Sequence, residues 1–424
     1  MMRTTLICVC AAIAVLWGCG GQDAQESPAQ TGSTTMTLPG GTKVPQTFSE
    51  DVAFLKAHTK VIELGGGNGP GIIVAPDYQG RVMTSTFDSK TGTGIGFIKY
   101  DVVANGVFTK GMTAFGGEDR IWLGPEGGQF SIFFKQGAEQ NGDNWQTPAF
   151  IDSDKYDVVS QSPTDAVFKK VASVTNASGT KFNFEIDRTV ALLDNDAVSK
   201  DLGVDVPSGV KAVAYESRNT LKNTGDNAWT KDGGLLSIWI LSMYKHSKTT
   251  RVVVPYNTDA QGRIVKDDYF GKVPADRLVD KHGYLVFKCD GQMRTKIGVS
   301  PERAKDVLGS WDPARSLLTI VQYNKPKGVT DYVNSQWTDK PQDDPFGGDV
   351  INSYNDGPFA KDKPPMGPFY EVESSSPALA LKPGGSYTHI HRTFHFTGPK
   401  DALQKIATAV LGVDLDDVAT ALPN

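Results

Sequence analysis

The chain has 424 residues, enough to bury a large core in one domain or two. Its 39% hydrophobic and 21% charged content is that of an ordinary globular protein, and 45 glycines with 24 prolines favour many strands and turns over long helices. A net charge of −5 excludes the basic face that nucleic acids need, and beyond the N-terminus no apolar run is long enough to span a membrane.

The N-terminus reads as an address. Arg3 supplies a positive charge, residues 6–17 are apolar, and Leu16-Trp17-Gly18-Cys19 resembles a bacterial lipobox. The expected organisation is a signal peptide over 1–18, a flexible tether over 19–46 behind a lipidated Cys19, and a single domain over 47–424. Acyl chains on Cys19 would hold the protein to a membrane of the bacterial cell envelope, and Gly20 in place of Asp resembles lipoproteins sent to an outer membrane. Cys8 and Cys10 leave with the signal. Cys289 then remains alone, so no intramolecular disulfide forms, and it reads as a small buried hydrophobe.

In chain order, residues 49–58 form a short helix capped by Ser49, with Val52, Phe54 and Leu55 on its buried side. Strands follow at 61–64, 72–76 and 81–87. The GGGNGPG run between the first two has G-x-G spacing, but a β-branched strand comes after it, so no helix N-terminus is offered to a phosphate. Residues 157–193, 213–223 and 235–244 alternate polar and apolar, as in an antiparallel meander; Phe182, Phe184 and Ile186 share one side, Asn183, Glu185 and Asp187 the other. Ser300-Pro301-Glu302 has the composition of a helix start, and 317–323 is a strand. Residues 325–368 are rich in Pro, Asp, Asn and Gly and contain Trp337, Asn352 and Tyr354. A loop this long reads as the lid or wall of a site. Helices near 399–410 and 414–422 close the chain and are expected over a sheet edge or end.

Candidate chemistry concentrates at 367–396. At strand period, Phe369, Glu371 and Glu373 share one face, with Tyr370 and Val372 on the other. After the turn at 382–385, His389, His391, Thr393 and His395 project one way, and Ile390, Phe394 and Phe396 the other. If both strands lie in one sheet, two carboxylates and three histidines line one polar surface. His389 and His391 beside a carboxylate have the spacing of a divalent-metal site; the other reading is that they hydrogen-bond a ligand's hydroxyls and no cofactor is needed. No nucleophile elbow, CxxC or Walker-type loop is present.

The same stretch resembles the C-terminal part of the aldose 1-epimerases (galactose mutarotases): a strand bearing Glu371, a Ser-Pro break, then Leu381-x-Pro383-Gly384-x-Ser386-Tyr387 and a strand ending in aromatics. Asp119-Arg120-Ile121 and Gly127-Gly128-Gln129-Phe130 are similar to a second part of that family, with Asp in place of Asn. The whole chain is also similar to bacterial lipoproteins known only as a domain of unknown function. The resemblance implies a mainly β fold, a large antiparallel β-supersandwich with a few short helices, and a carbohydrate ligand in a concave groove. It implies Glu371 as catalytic base and Arg120 as a sugar contact, since a planar guanidinium suits vicinal hydroxyls. Trp122 and Trp145 offer flat faces to a pyranose. Glu126, Glu373, His395 and Asn352 complete the candidate ligand-binding set, and His389 or His391 would serve as the acid. The family's own catalytic histidine is missing: the strand GGLLSIWILSMYKH carries Ser237, Trp239 and Ser242, with His246 just beyond. Two readings follow, an acid–base enzyme of epimerase type and a non-catalytic glycan binder. Both expect Glu371, Arg120 and at least two of the three histidines around one pocket, with 325–368 as a wall.

Overall fold

Alternation of large apolar and polar side chains builds the longest strands. Lys181–Leu193 buries Phe182, Phe184, Ile186 and Val190 while Lys181 and Asn183 stay exposed. It pairs antiparallel with Asp165–Thr175 on one side and Lys211–Asn223 on the other. Ser386–Thr397 adds to the free edge of Lys211–Asn223, and Leu317–Tyr323 and Val307–Asp312 continue outward in a ten-stranded sheet. The computed structural model describes residues 43–338, 340–358 and 364–423. The signal segment, Cys19 and most of the tether lie outside the described residues.

A second sheet of five antiparallel strands has the order Thr295–Val299, Ile351–Asn355, Phe369–Ser375, Ser237–Lys245, Arg120–Gly124. It stacks on the ten-stranded sheet through one continuous core that includes Ile121, Ile240, Tyr370 and Val372 from one side and Ile186, Tyr215 and Val321 from the other. Hydrogen bonds cross the interface: Tyr370 to Ser310 at 2.7 Å and Tyr244 to Thr393 at 3.2 Å. A third sheet of three strands, Ile62–Gly65, Gly71–Ala75 and Arg81–Thr86, sends Leu64, Ile72 and Val74 into this core and packs Ile73 and Met83 beneath the N-terminal helix Phe48–His58.

The outer face of the ten-stranded sheet is covered by Lys400–Leu411 and Leu415–Thr420. Leu403, Ile406, Leu415 and Val418 bury Phe394, Phe396 and Leu318 there. Each phenylalanine so covered contributes about 1.5–3 kcal/mol. The C-terminal helices therefore roof a sheet face rather than an edge or end.

Three local expectations are corrected. The first helix is capped by Thr47, not Ser49: the Thr47 hydroxyl accepts from the Glu50 N–H while the Glu50 carboxylate accepts from the Thr47 N–H, a reciprocal capping box. Residues 301–303 make a single turn closed on the Ser300 carbonyl, not a helix, because the chain must enter the strand Val307–Asp312 within a few residues. The 325–368 stretch is not all loop, since Ile351–Asn355 is an inner strand of the five-stranded sheet.

Candidate functional site

Register sets one face of the five-stranded sheet. Arg120 lies opposite Leu241 and Trp122 opposite Trp239; Glu371 lies opposite Met243 and Glu373 opposite Leu241; Asn352 pairs with Glu373 and Lys296 with Tyr354. Cross-strand partners share a face, so these side chains all turn away from the ten-stranded sheet. All but Glu373 floor a cavity of about 590 Å³ whose lining includes Arg120, Trp122, Glu126, Asn352 and Glu371.

The wall comes from 333–337 and 347–349, within the stretch read as a lid or wall. It is tied to the loop after Arg120–Gly124: the Glu126 N–H donates to Ser335 at 3.1 Å, the Gln342 N–H to Gln129 at 2.9 Å, and the Thr338 N–H to Gln140 at 3.0 Å. Gly127 makes the approach feasible, since a Cβ there would sit 2.5 Å from the Gln336 carbonyl carbon.

Aromatic rings supply most of the apolar surface. Trp122 stands edge-on to Trp239 at 5.6 Å, tilts against Trp145 at 6.4 Å, and Trp145 meets Trp337 at 5.8 Å. Arg120 lies 5.2 Å from the Trp122 ring and donates to one oxygen of Glu371. Glu373 is fully buried beneath the floor, where it accepts from the Trp239 indole at 2.9 Å and from Lys296 at 3.0 Å. It positions two cavity residues and does not line the cavity itself.

Burial raises three carboxyl groups here. The Glu371 carboxyl is pushed up to about 7 by burial; Arg120 pulls it down and Glu373 adds to the rise. Glu126 is raised by burial against the pull of Lys296 and a hydrogen bond from Trp337. Asp349 is raised by burial despite a hydrogen bond from Tyr269. Three buried polar atoms of the lining, Arg120 Nε, Ser237 Oγ and Trp145 Nε1, have no hydrogen-bond partner among the described residues.

The histidines are elsewhere, which corrects the expected convergence. His389, His391 and His395 are fully buried on the inner face of the ten-stranded sheet, between the two sheets. Ser374, on the back of the glutamate strand, hydrogen-bonds His389 Nε2 at 2.8 Å and His391 Nδ1 at 2.9 Å. His395 bridges Thr319 at 2.8 Å and Glu118 at 3.3 Å. The two strands belong to different sheets, so the polar face of one looks outward while that of the other looks inward. His389 and His391 are thus removed as acid candidates and His395 as a ligand contact. The carboxylate expected beside His389 and His391 on the neighbouring strand is not there: Ser374, and not Glu371 or Glu373, faces them. Among the described residues, no group of three His, Cys, Asp or Glu side chains could hold a metal ion.

The tripeptide Asp119-Arg120-Ile121 divides the same way. Asp119 pairs with Arg188 at 2.6 Å in the core, and only Arg120 enters the cavity. Sequence reasoning missed Lys266, Tyr269, Lys296 and Asp349. Lys296 is the one half-buried residue of the strand Thr295–Val299.

Residues 46–422 match the model of a family of unknown function, DUF6786. No curated protein matches the sequence. Among solved structures, the chain is similar to an Escherichia coli K12 protein provisionally named an aldose 1-epimerase, at 13% identity and a TM-score of 0.48, over 80% of this chain and 99% of that one. It is similar to a galactose mutarotase-like protein from Lactobacillus casei at 11% identity and 0.45, over 79% and 100%. A Klebsiella pneumoniae protein, also provisionally named an aldose 1-epimerase, matches at 9% identity and 0.46, over 84% and 83%.

Proposed function

The chain belongs to the DUF6786 family of unknown function, and from the geometry of its cavity we propose that it binds a saccharide there, with Glu371 as the proton-accepting group. The observation that carries this reading is the composition of one concave surface. Four tryptophans give flat apolar faces, while Arg120, Asn352 and the carboxyl groups give directional partners for hydroxyls. Buried donors such as Arg120 Nε and Trp145 Nε1 would gain partners from a hydroxylated ligand.

With the histidines in the core, Glu371 and Glu126 are the cavity's candidate proton carriers. A Glu371 carboxylate titrating near 7 accepts a proton well at neutral pH, and Glu126, whose carboxyl is also raised by burial, is the second carboxyl on the cavity that could exchange one. That pairing suits epimerisation or another transfer of one proton off and one on. Binding without turnover is the second reading. It is favoured by Trp239, Leu241 and Met243, which occupy the cavity side of the strand Ser237–Lys245, where the resemblance to the epimerases implies an acid histidine.

The test is calorimetric titration of the purified protein with neutral and acidic monosaccharides and short glycans, with anomer exchange followed by NMR. Saturable binding is expected, weakened at least tenfold by Trp122→Ala and by Arg120→Ala. Turnover lost in Glu371→Gln with binding retained assigns the enzyme reading; binding with no turnover in the wild type assigns the binder. If no saccharide binds, the proposal fails.

We also propose that Cys19 carries the lipid anchor. Palmitate labelling of expressing cells should mark the wild type and leave Cys19→Ser unlabelled; equal labelling would contradict it.

A further inference from the structure

Lys266 is 8% exposed and lines the cavity, yet no carboxylate among the described residues lies within ion-pair distance of it. Its ammonium donates to the Gln336 side chain at 2.5 Å and sits 4.5 Å from the Tyr269 ring centroid. An ammonium has three donors, so two are not taken up by Gln336. A buried charge without a counter-charge is costly, and ordinarily it is paired.

The surroundings accentuate this. Lys296 reaches the same Tyr269 ring at 5.7 Å, so two ammonium groups flank one aromatic. Lys296 has its own carboxylate, Glu373, but that carboxylate lies beneath the floor. Arg294 stacks on Phe270 at 3.6 Å and lines the same cavity. The acids whose charge bears on Lys266, Asp349 and Asp268, form no ion pair with it; Asp349 accepts from Tyr269, and burial raises its carboxyl. Lys266 is itself destabilised as a cation, by burial first, with Asp349 opposing and Arg263 and Lys296 adding to the effect.

The geometry points to an acidic saccharide: a sugar bearing a carboxylate or a phosphate ester, its anionic group seated on Lys266 with Lys296 and Arg294 beside it. This rests on the saccharide reading of the cavity and names the class of sugar. The anion supplies the counter-charge that Lys266 lacks, while the sugar ring reaches the tryptophans on the same floor. Glu371 stays with Arg120, so the anion-binding and proton-accepting groups are separate.

The experiment compares the affinities of the wild type and Lys266→Met for D-galactose, D-glucose, D-galacturonate, D-glucuronate and glucose 6-phosphate. The wild type should prefer at least one acidic sugar over its neutral parent by tenfold or more, with the preference shrinking as salt is added. Whether uronates or the phosphate ester are preferred separates the two sources of the anion. In Lys266→Met the preference should fall to threefold or less. Thermal unfolding without ligand shows whether this variant folds; should it not, Lys266→Gln replaces it, keeping the partner of Gln336. Neutral sugars bound as tightly as acidic ones, or an unchanged preference in the variant, would overturn the inference and leave the saccharide site standing. Absence of all saccharide binding would remove both.

Discussion

The Arg120–Glu371 pair is where the cavity's electrostatics become a pH dependence. Glu371 must be deprotonated to accept a proton, and burial holds its carboxyl up near 7. Any turnover should therefore rise with pH through about 7. Glu371→Gln should remove this limb and reduce kcat by about 10²–10⁴. Arg120 pulls the Glu371 carboxyl down, so Arg120→Met should move the limb to higher pH; a limb that stays in place would show that Arg120 does not set it. Both residues became candidates through the resemblance to the aldose 1-epimerases, and strand period placed Glu371 opposite the core residues Tyr370 and Val372. What period could not reveal is the partner: Arg120 is 251 positions away, and only the order of strands brings the two together.

At the level of elements, the glutamate strand and the histidine strand show how far alternation reaches. Both were assigned correctly as strands with the correct two faces. The error was to put them in one sheet. Phe369–Ser375 joins Ser237–Lys245 and Ile351–Asn355, whereas Ser386–Thr397 joins Lys211–Asn223 and Leu317–Tyr323. A polar face usually marks solvent, but here the inner face of the large sheet holds His389, His391, Asn219 and Ser217, satisfied in part by Ser374. The apolar face of the same strand is also buried, under helices nearly at the end of the chain. Ile351–Asn355 was hidden for a different reason: its five residues, INSYN, are mostly polar and sit between long Pro- and Asp-rich segments. The wall beside it gives a mechanical prediction. Gly127→Ala adds a Cβ against the Gln336 backbone, so the wall must move; saccharide affinity should drop by tenfold or more while far-ultraviolet circular dichroism is unchanged. Unchanged affinity would mean that the wall does not contact the ligand.

For the whole molecule, the buried histidines tie the two sheets to pH. Burial lowers His389 to about 3, with His391 adding to the shift, and lowers His391 to about 4, with Asp119 opposing and Arg188 assisting. In the unfolded chain a histidine titrates near 6.5. Between these values the unfolded state binds more protons than the folded one, so stability falls as pH drops below about 6.5. Each histidine contributes a slope of at most about 1.4 kcal/mol per pH unit. Denaturant unfolding at pH 7 and pH 5 should show the loss, and a His389→Gln variant should show a shallower dependence; a stability flat over this range would contradict the neutral, buried assignment. The inner faces hold the sheets together, and the outward face of the five-stranded sheet floors the cavity, where the proposed ligand would sit.

The most direct test of that division uses the tryptophans themselves. Four of the chain's seven, Trp122, Trp145, Trp239 and Trp337, line the cavity, so a sugar stacking there must change their emission. Titrating neutral and acidic saccharides while recording intrinsic fluorescence should give a saturable change that Trp122→Phe and Trp337→Phe reduce and that Trp311→Phe, a core substitution beneath the C-terminal helices, leaves intact. No change with any saccharide, or a change indifferent to the cavity substitutions, would contradict the account.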